Sequence, residues 1–284
     1  MRFAIGMLLL TVGVFGGFVL HGGSLHAIWQ PTELMIIFGA GLGALVISNP
    51  MHVLRDMWVQ IRWVVFMPKQ DGQEFQRQLL LLLYELLEMV KDGGLKALDG
   101  HVDYPEDSAL FGKYPLIQAD HHLVSFIVDN FRLMAMGKIS PHELEGMLDQ
   151  ELMAIEEELL KPARSLGKVG EAMPGFGILA AVLGIVTTMG NIGESMVSVG
   201  VQIAAAMVGT FIGILMCYGI LEPLSSAMVS QVQKRFSALV CVKVVLCAQL
   251  AGKPTLLAVD AGRKLIPLEM KPSFAKLESW IMEV

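Results

Sequence analysis

The chain has 284 residues, of which 54% are hydrophobic and only 17% charged, and a formal net charge of −6; its mean hydropathy is +0.58. A water-soluble domain of this length is less apolar and more charged, so the composition points to an integral membrane protein. The acidic balance argues against nucleic acid as a partner.

In chain order, the first charge-free stretch is Phe3–Thr32, containing the apolar run Phe3–Leu20. It is long enough to cross a bilayer, which takes roughly 20 residues of helix. Arg2, the apolar run and Ala27 resemble a secretory signal, but the run is long and Leu25 is poorly suited to the small-residue cleavage site, so cleavage is not expected. A second charge-free stretch, Leu34–Leu54, contains the glycine-rich Leu34–Ile47. It reaches spanning length with Pro31–Glu33 and Ser48–Asn49 included.

The middle of the chain reads as helical. Leu79–Val90 is apolar, but Glu85 and Glu88 interrupt it and it is too short to span, so a buried helix ending at Asp92-Gly93-Gly94 is predicted. A short helix around Leu95–Asp99 and a turn at Tyr104-Pro105 follow. Ala119–Met136 carries Leu123, Phe126, Ile127, Phe131 and Met134 at helical spacing, with Gly137 as a stop. Ser140-Pro141-His142-Glu143 is a helix start: Ser140 caps, Pro141 takes the first position, and Glu143 closes a capping box. The acidic helix beyond it is expected to break at Pro162.

Two further charge-free stretches, Ala172–Gly193 and Gly200–Leu221, complete a set of four spans. After Pro223 a helix is predicted over Ser230–Cys247, and Pro254, Pro267 and Pro272 break up the remainder.

All 21 Lys and Arg residues sit at Arg2, between Arg55 and Lys168, or between Lys234 and Lys276, and the short loops His21–Gln30 and Ile192–Val199 hold none. Positive charge stays cytoplasmic. The expected fold is therefore an all-α integral membrane protein with four transmembrane helices, a large helical cytoplasmic domain, and both termini cytoplasmic. The expected domains are 1–50 for spans one and two, 51–171 for the cytoplasmic domain, 172–223 for spans three and four, and 224–284 for a C-terminal helix and tail. Cys217, Cys241 and Cys247 lack CxxC spacing and imply no disulfide framework.

Helices in lipid approach one another through small residues. Ala205, Gly209, Gly213 and Cys217 recur every four residues, and Gly13/Gly17, Gly39/Gly43 and Ala180/Gly184 repeat the pattern in the other spans. Such pairs in all four spans read either as ordinary bundle packing or as a tight assembly of several copies. Thr210, beside the stripe, either bonds back to its own helix or exchanges hydrogen bonds with a passing ion; Thr187 and Thr188 are weaker candidates. Pro174 stands in the first turn of its span, where its missing N–H is harmless. Pro223 either ends a helix or kinks one that continues, a place to couple the membrane to the inside.

Pumps and proton-driven transporters place acids within their spans. Here the nearest are at span edges, Glu33, Glu171, Glu194 and Glu222, so a partner is expected to supply the titrating group. No Walker motif is present, and His121-His122 face different sides of a helix. No enzymatic activity, metal or cofactor is expected.

Pro174-Gly-Phe-Gly-Ile-Leu-Ala-Ala-Val-Leu-Gly-Ile-Val186 and Ala204-Ala-Ala-Met-Val-Gly-Thr-Phe-Ile-Gly-Ile-Leu215, followed by Tyr218-Gly219 and Pro223, resemble the third and fourth spans of the MotA family of flagellar stator proteins, in its enterobacterial type. Gly22-Gly23-Ser24 with Gln30-Pro31 and Glu33 resembles that family's first periplasmic turn, and Lys271-Pro272-Ser273-Phe274 its tail motif. The resemblance covers nearly the whole chain. It implies a multi-pass protein of the bacterial inner membrane, forming a pentamer around a dimer of a MotB-type partner whose single membrane aspartate carries the ion. It also implies that ion flow turns the ring and that the cytoplasmic domain pushes the rotor protein FliG. One charge moving through the membrane potential supplies about 2.3 kcal/mol per 100 mV.

By the same resemblance Pro174 and Pro223 match two functional prolines and Thr210 a threonine near the ion path. The rotor-facing arginine falls on Lys91 and the glutamate on Asp99; both charge signs survive and neither residue type does, and lysine does not reproduce a bidentate arginine contact. Alanine at Ala181, where sodium-driven relatives carry threonine, points to protons. The alternatives are a sodium-driven stator, or an ExbB/TolQ-like energiser of another envelope process, whose three spans fit less well. On composition alone, a passive membrane scaffold or receptor is a further reading.

Overall fold

The computed structural model describes residues 2–66, 72–137, 139–190 and 196–283, with Arg2, Leu95, Asp99, Gly190 and 196–198 described by backbone alone. Every regular element among them is helical. The chain opens with α1 (Arg2–Thr11), a π-helical stretch Val12–Gly16, α2 (Gly17–Leu20), α3 (Leu25–Ile28), α4 (Pro31–Ser48) and α5 (Met51–Phe66). There follow α6 (Gly72–Gly93), a 3₁₀ turn Leu95–Leu98, α7 (Asp99–Asp103), α8 (Ala109–Gly112), α9 (Pro115–Gln118) and α10 (His121–Ala135). The long α11 (Pro141–Gly190), α12 (Met196–Ile214), a second π-helical stretch Leu215–Leu221, α13 (Glu222–Leu250), α14 (Thr255–Arg263) and α15 (Phe274–Met282) complete the chain. Among the described residues, four helical segments are long and apolar enough to cross a membrane: Phe3–Leu20, Pro31–Ser48, and parts of Pro141–Met189 and Val199–Leu250.

Contacts divide the chain into one unit of 1–68 with 159–231 and another of 69–158 with 232–284. In the first, the break between α4 and α5 follows from Asn49-Pro50. Proline cannot continue the helix and pushes its predecessor out of the helical region, and Asn49 is extended at φ −133° and ψ 137°. Its side chain closes α4 by donating to the Leu45 carbonyl at 2.9 Å and accepting from Ser165 Oγ at 2.6 Å. The buried stripe of α4 is Glu33, Ile37 and Gly41, four residues apart. Phe3–Leu20 buries none of its residues within the chain; it leans on the rest through an edge-to-face contact of Phe15 with Phe211, ring centroids 6.3 Å apart.

Two sequence expectations fail here. α11 does not break at Pro162, and Pro174 is not in a first turn: both prolines lie inside one 50-residue helix. A proline within a helix strands the carbonyls three and four residues before it. The Leu159 carbonyl, three before Pro162, accepts from Gln60 Nε2 at 3.1 Å, and the Ala163 carbonyl accepts from Ser225 Oγ at 2.8 Å. The Gln60 side chain thus serves a carbonyl on the side the proline strands, while the bond at Ala163, which follows the proline, ties α11 to α13; α11 continues through Pro162. Likewise the helix predicted over Ser230–Cys247 begins earlier, at Glu222.

The second unit has one large apolar core. α6 contributes leucines from Leu79 to Leu87, α10 contributes Phe126, Ile127 and Phe131, and α15 contributes Leu277 and Trp280. Glu85, which interrupts the leucine run, lies at the edge of this core, accepting from Lys113 at 2.9 Å and from the Tyr114 hydroxyl at 3.1 Å. The capping box at the start of α11 forms as read: the Ser140 N–H donates to Glu143 Oε2 at 2.8 Å and the Glu143 N–H to Ser140 Oγ at 3.3 Å. These bonds hold the Glu143 carboxyl below its ordinary range. Gly94 and Gly137 end their helices with φ of +69° and +71°, a conformation that favours glycine.

Candidate functional site

α11 and α12 cross with their backbones close together in the first unit. A Cβ at Gly213 would lie 2.6 Å from the Met173 carbonyl oxygen and 3.0 Å from Gly177 Cα. One at Gly177 would lie 2.7 Å from the Gly209 carbonyl oxygen and 3.2 Å from Thr210 Cα. Glycine is therefore required on both sides, as close helix packing in lipid demands. Gly209 and Gly213 face this seam. Ala205 is only half-buried, and the neighbouring Ala206 is fully covered, its Cβ 3.1 Å from where a Cβ at Gly184 would stand. On α4 the glycine that packs is Gly41, where a Cβ would lie 3.0 Å from Met173 Sδ, whereas a Cβ at Gly39 or Gly43 would meet nothing within 4 Å. Gly13 and Gly17 are equally open.

Thr210 and Ala181 are half-buried beside this crossing. Thr187 and Thr188 bond back to the Leu183 and Gly184 carbonyls, both at 2.9 Å. Pro174 is half-buried within α11 and Pro223 exposed in the first turn of α13. The seven-residue π-helical stretch ends immediately before Glu222, whose N–H reaches back to the Cys217 carbonyl. The wider turn precedes a proline that cannot donate to its own α-helical acceptor. Of the two readings of Pro223, the helix continues.

Among the acids at the span edges, Glu171 and Glu222 are exposed and Glu194 lies outside the described residues. Glu33 is buried, with 6% of its surface exposed, and its Oε2 accepts from Thr32 Oγ1 at 2.6 Å. From sequence it reads as a rim acid; the signal that finds it is the spacing of Glu33, Ile37 and Gly41 along one face. Lys91 ends α6 in the other unit, exposed and 3.0 Å from Glu88. The hydrogen bond and charge of Glu88 push the Lys91 ammonium above its ordinary range. The side chain of Asp99, at the start of α7, lies outside the described residues. Among the described residues no group of three or more His, Cys, Asp or Glu is placed to hold a metal ion.

Comparison with known proteins matches the chain along nearly its whole length. The Motility protein A N-terminal family matches residues 4–94, and the MotA/TolQ/ExbB proton channel family matches 118–239. The chain is 52% identical over 279 residues to the chemotaxis protein LafT of Vibrio parahaemolyticus, covering 98% of each chain. It is 36% identical to Motility protein A of Salmonella typhimurium, covering 100% of this chain and 96% of the relative. The fold matches a Campylobacter jejuni MotAB structure with TM-score 0.72 at 17% identity, covering 94% of this chain and 96% of that one. It matches the Bacillus subtilis flagellar MotAB stator complex with TM-score 0.67 at 22% identity, covering 97% and 98%. With two identities well above 30% along the full length of both chains, this protein belongs to the MotA family of flagellar motor stator proteins, within the MotA/TolQ/ExbB proton channel family.

Proposed function

We propose that this chain, as a multi-pass protein of the bacterial inner membrane with both termini cytoplasmic, works with a single-span MotB-type partner to couple proton flow to flagellar rotation. The observation that carries this reading is the pairing of two charge-free, glycine-crossed spans with a full-length match to Motility protein A. Such spans hold no carboxylate of their own, and a partner aspartate fills that need. The open Gly39/Gly43 and Gly13/Gly17 faces support a ring of copies, five in this proposal, around the partner. Thr210 and Ala181 line the path in this reading, and Pro174 and Pro223 let its helices pass motion on. The ExbB/TolQ alternative is less favoured, because the described residues hold four candidate spans and the relatives matched over the full length are a chemotaxis protein and Motility protein A.

Expression with its cognate partner in a non-motile strain lacking stators tests this directly. Swimming without sodium is the expected result. Swimming only in sodium would overturn the proton assignment, and no swimming with both proteins in the membrane would overturn the stator reading.

Lys91 and Asp99 are proposed to meet FliG. Lys91→Glu is expected to depress torque severalfold while the protein still reaches the membrane in normal amount, since an exposed ion pair adds little to a fold. Torque from tethered cells and the membrane content check this; loss of the protein from the membrane would make Lys91 structural. Glu88 competes for the same ammonium, so Glu88→Gln should strengthen rather than weaken an acidic rotor's hold on Lys91.

A further inference from the structure

α5 (Met51–Phe66) has two unlike faces. One is buried: Val53 and Met57 are covered, and Met57 packs in a cluster with Ala163, Leu166, Leu224 and Met228. On the opposite side, at helical spacing, stand Met51, Arg55, Trp58, Val59, Arg62 and Phe66, and every one of them is exposed. Trp58 has 68% of its surface exposed and Phe66 77%. Four large apolar side chains and two arginines therefore share one uncovered face, a pattern that marks a partner or a membrane. The single acid of α5, Asp56, lies at the flank of this face, 3.8 Å from Arg55 in an exposed pair that water screens.

The place of α5 in its unit says what covers this face. The cluster around Met57 also takes in Phe3, in the first turn of the first span, and Leu45, in the last turn of the second. Leu221 and Leu224 of the same cluster flank Pro223, at the end of the fourth span. Only Asn49 and Pro50 separate α4 from α5, so no linker carries this helix away from the bilayer. With both termini cytoplasmic, α5 lies at the depth of the inner leaflet's headgroups. Tryptophan is favoured at that depth, and arginine lays its stem on apolar surface while its head reaches phosphate. The cytoplasmic leaflet is anionic and attracts basic side chains close to it.

We propose that the outer face of α5 binds anionic phospholipid of the cytoplasmic leaflet. Trp58, Val59 and Phe66 enter the boundary between headgroups and acyl chains, and Arg55 and Arg62 hold the phosphate-bearing headgroups. This rests on the topology proposed above, with both termini cytoplasmic. The same helix reaches α11 through Gln60, which donates to the Leu159 carbonyl before Pro162. Lipid bound to α5 thus steadies the helix that serves this turn of α11.

The test uses the full-length protein with its cognate partner in vesicles of equal parts phosphatidylcholine and phosphatidylglycerol. A bromine quencher is carried on one lipid or the other. The difference between wild type and Trp58→Phe isolates the Trp58 fluorescence from that of Trp29, Trp63 and Trp280. Brominated phosphatidylglycerol should quench this signal severalfold more than brominated phosphatidylcholine, and added salt should narrow the gap. Arg55→Gln with Arg62→Gln should bring the two lipids to equality. Arg55→Lys with Arg62→Lys should keep most of the preference, and elution of each complex at the wild-type volume checks that it is assembled. Equal quenching by the two lipids in wild type overturns the proposal, as does a preference that survives the double Gln change. Absence of quenching by either lipid also overturns it, and shows that protein, such as a second copy of this chain, covers the face. Quenching requires no rotation, so failure here and failure to swim are separate results.

Discussion

Gly213→Val is expected to abolish swimming and to lower the amount of protein in the membrane. The first atom of any side chain at this position falls 2.6 Å from the Met173 carbonyl oxygen and 3.0 Å from Gly177 Cα. Both obstacles are backbone, so no rotamer change relieves them and α11 and α12 must separate. Overpacking typically costs about 1–3 kcal/mol, and the displaced crossing carries Thr210 with it. Gly43→Ala is the informative contrast, because nothing within the chain lies within 4 Å of the added methyl. That variant should accumulate normally, and any loss of motility in it reports on a contact outside the chain. Immunoblots of membranes beside swimming speed distinguish the cases. Wild-type swimming by Gly213→Val at normal abundance would remove the crossing from any role in function.

The fold was largely legible because its signals are local. Charge-free length marks the spans, Ser140 with Glu143 marks the start of α11, and Gly94 and Gly137 mark helix ends. What stayed hidden depends on a second helix. Pro162 reads as a breaker until Gln60, distant in sequence, donates to the Leu159 carbonyl before it. Glu33 reads as a rim acid until Gly184 and Gly209 are brought to it, and Gly41 rather than Gly39 or Gly43 proves to be the packed glycine of α4. Small-residue spacing shows that a helix can be approached closely; it does not show which face a neighbour takes. The roles of Lys91, Asp99, Thr210 and Ala181 depend on other molecules, so neither the sequence nor the fold of one chain displays them.

The tail motif Lys271-Pro272-Ser273-Phe274 has a physical reason within this chain. Asp260 on α14 accepts from Arg263 at 2.7 Å and pairs with Lys264 at 3.1 Å. Arg263 in turn donates to the Pro272 carbonyl at 2.8 Å, and Ser273 caps α15 by accepting from the Lys276 N–H at 3.2 Å. One nearly buried carboxylate thereby fixes the entry to the helix that delivers Leu277 and Trp280 to the core. Burial alone would raise the Asp260 pKa, but the hydrogen bonds from Arg263 and Lys264 outweigh it and the net shift is downward. A carboxyl lowered on folding stabilises above its unfolded range, and that contribution is lost as pH falls through the folded value, below about pH 4. Asp260→Asn removes the charge and leaves the Arg263 guanidinium, with 11% of its side chain exposed, without its counter-ion. Breaking a buried pair on one side costs about 3–5 kcal/mol. The full-length variant in detergent should therefore show faster hydrogen exchange along α14 and α15 at neutral pH. It should also lack the additional loosening of these helices that acid produces in wild type. Equal exchange in the two proteins at neutral pH would show that the tail is held by its apolar contacts alone.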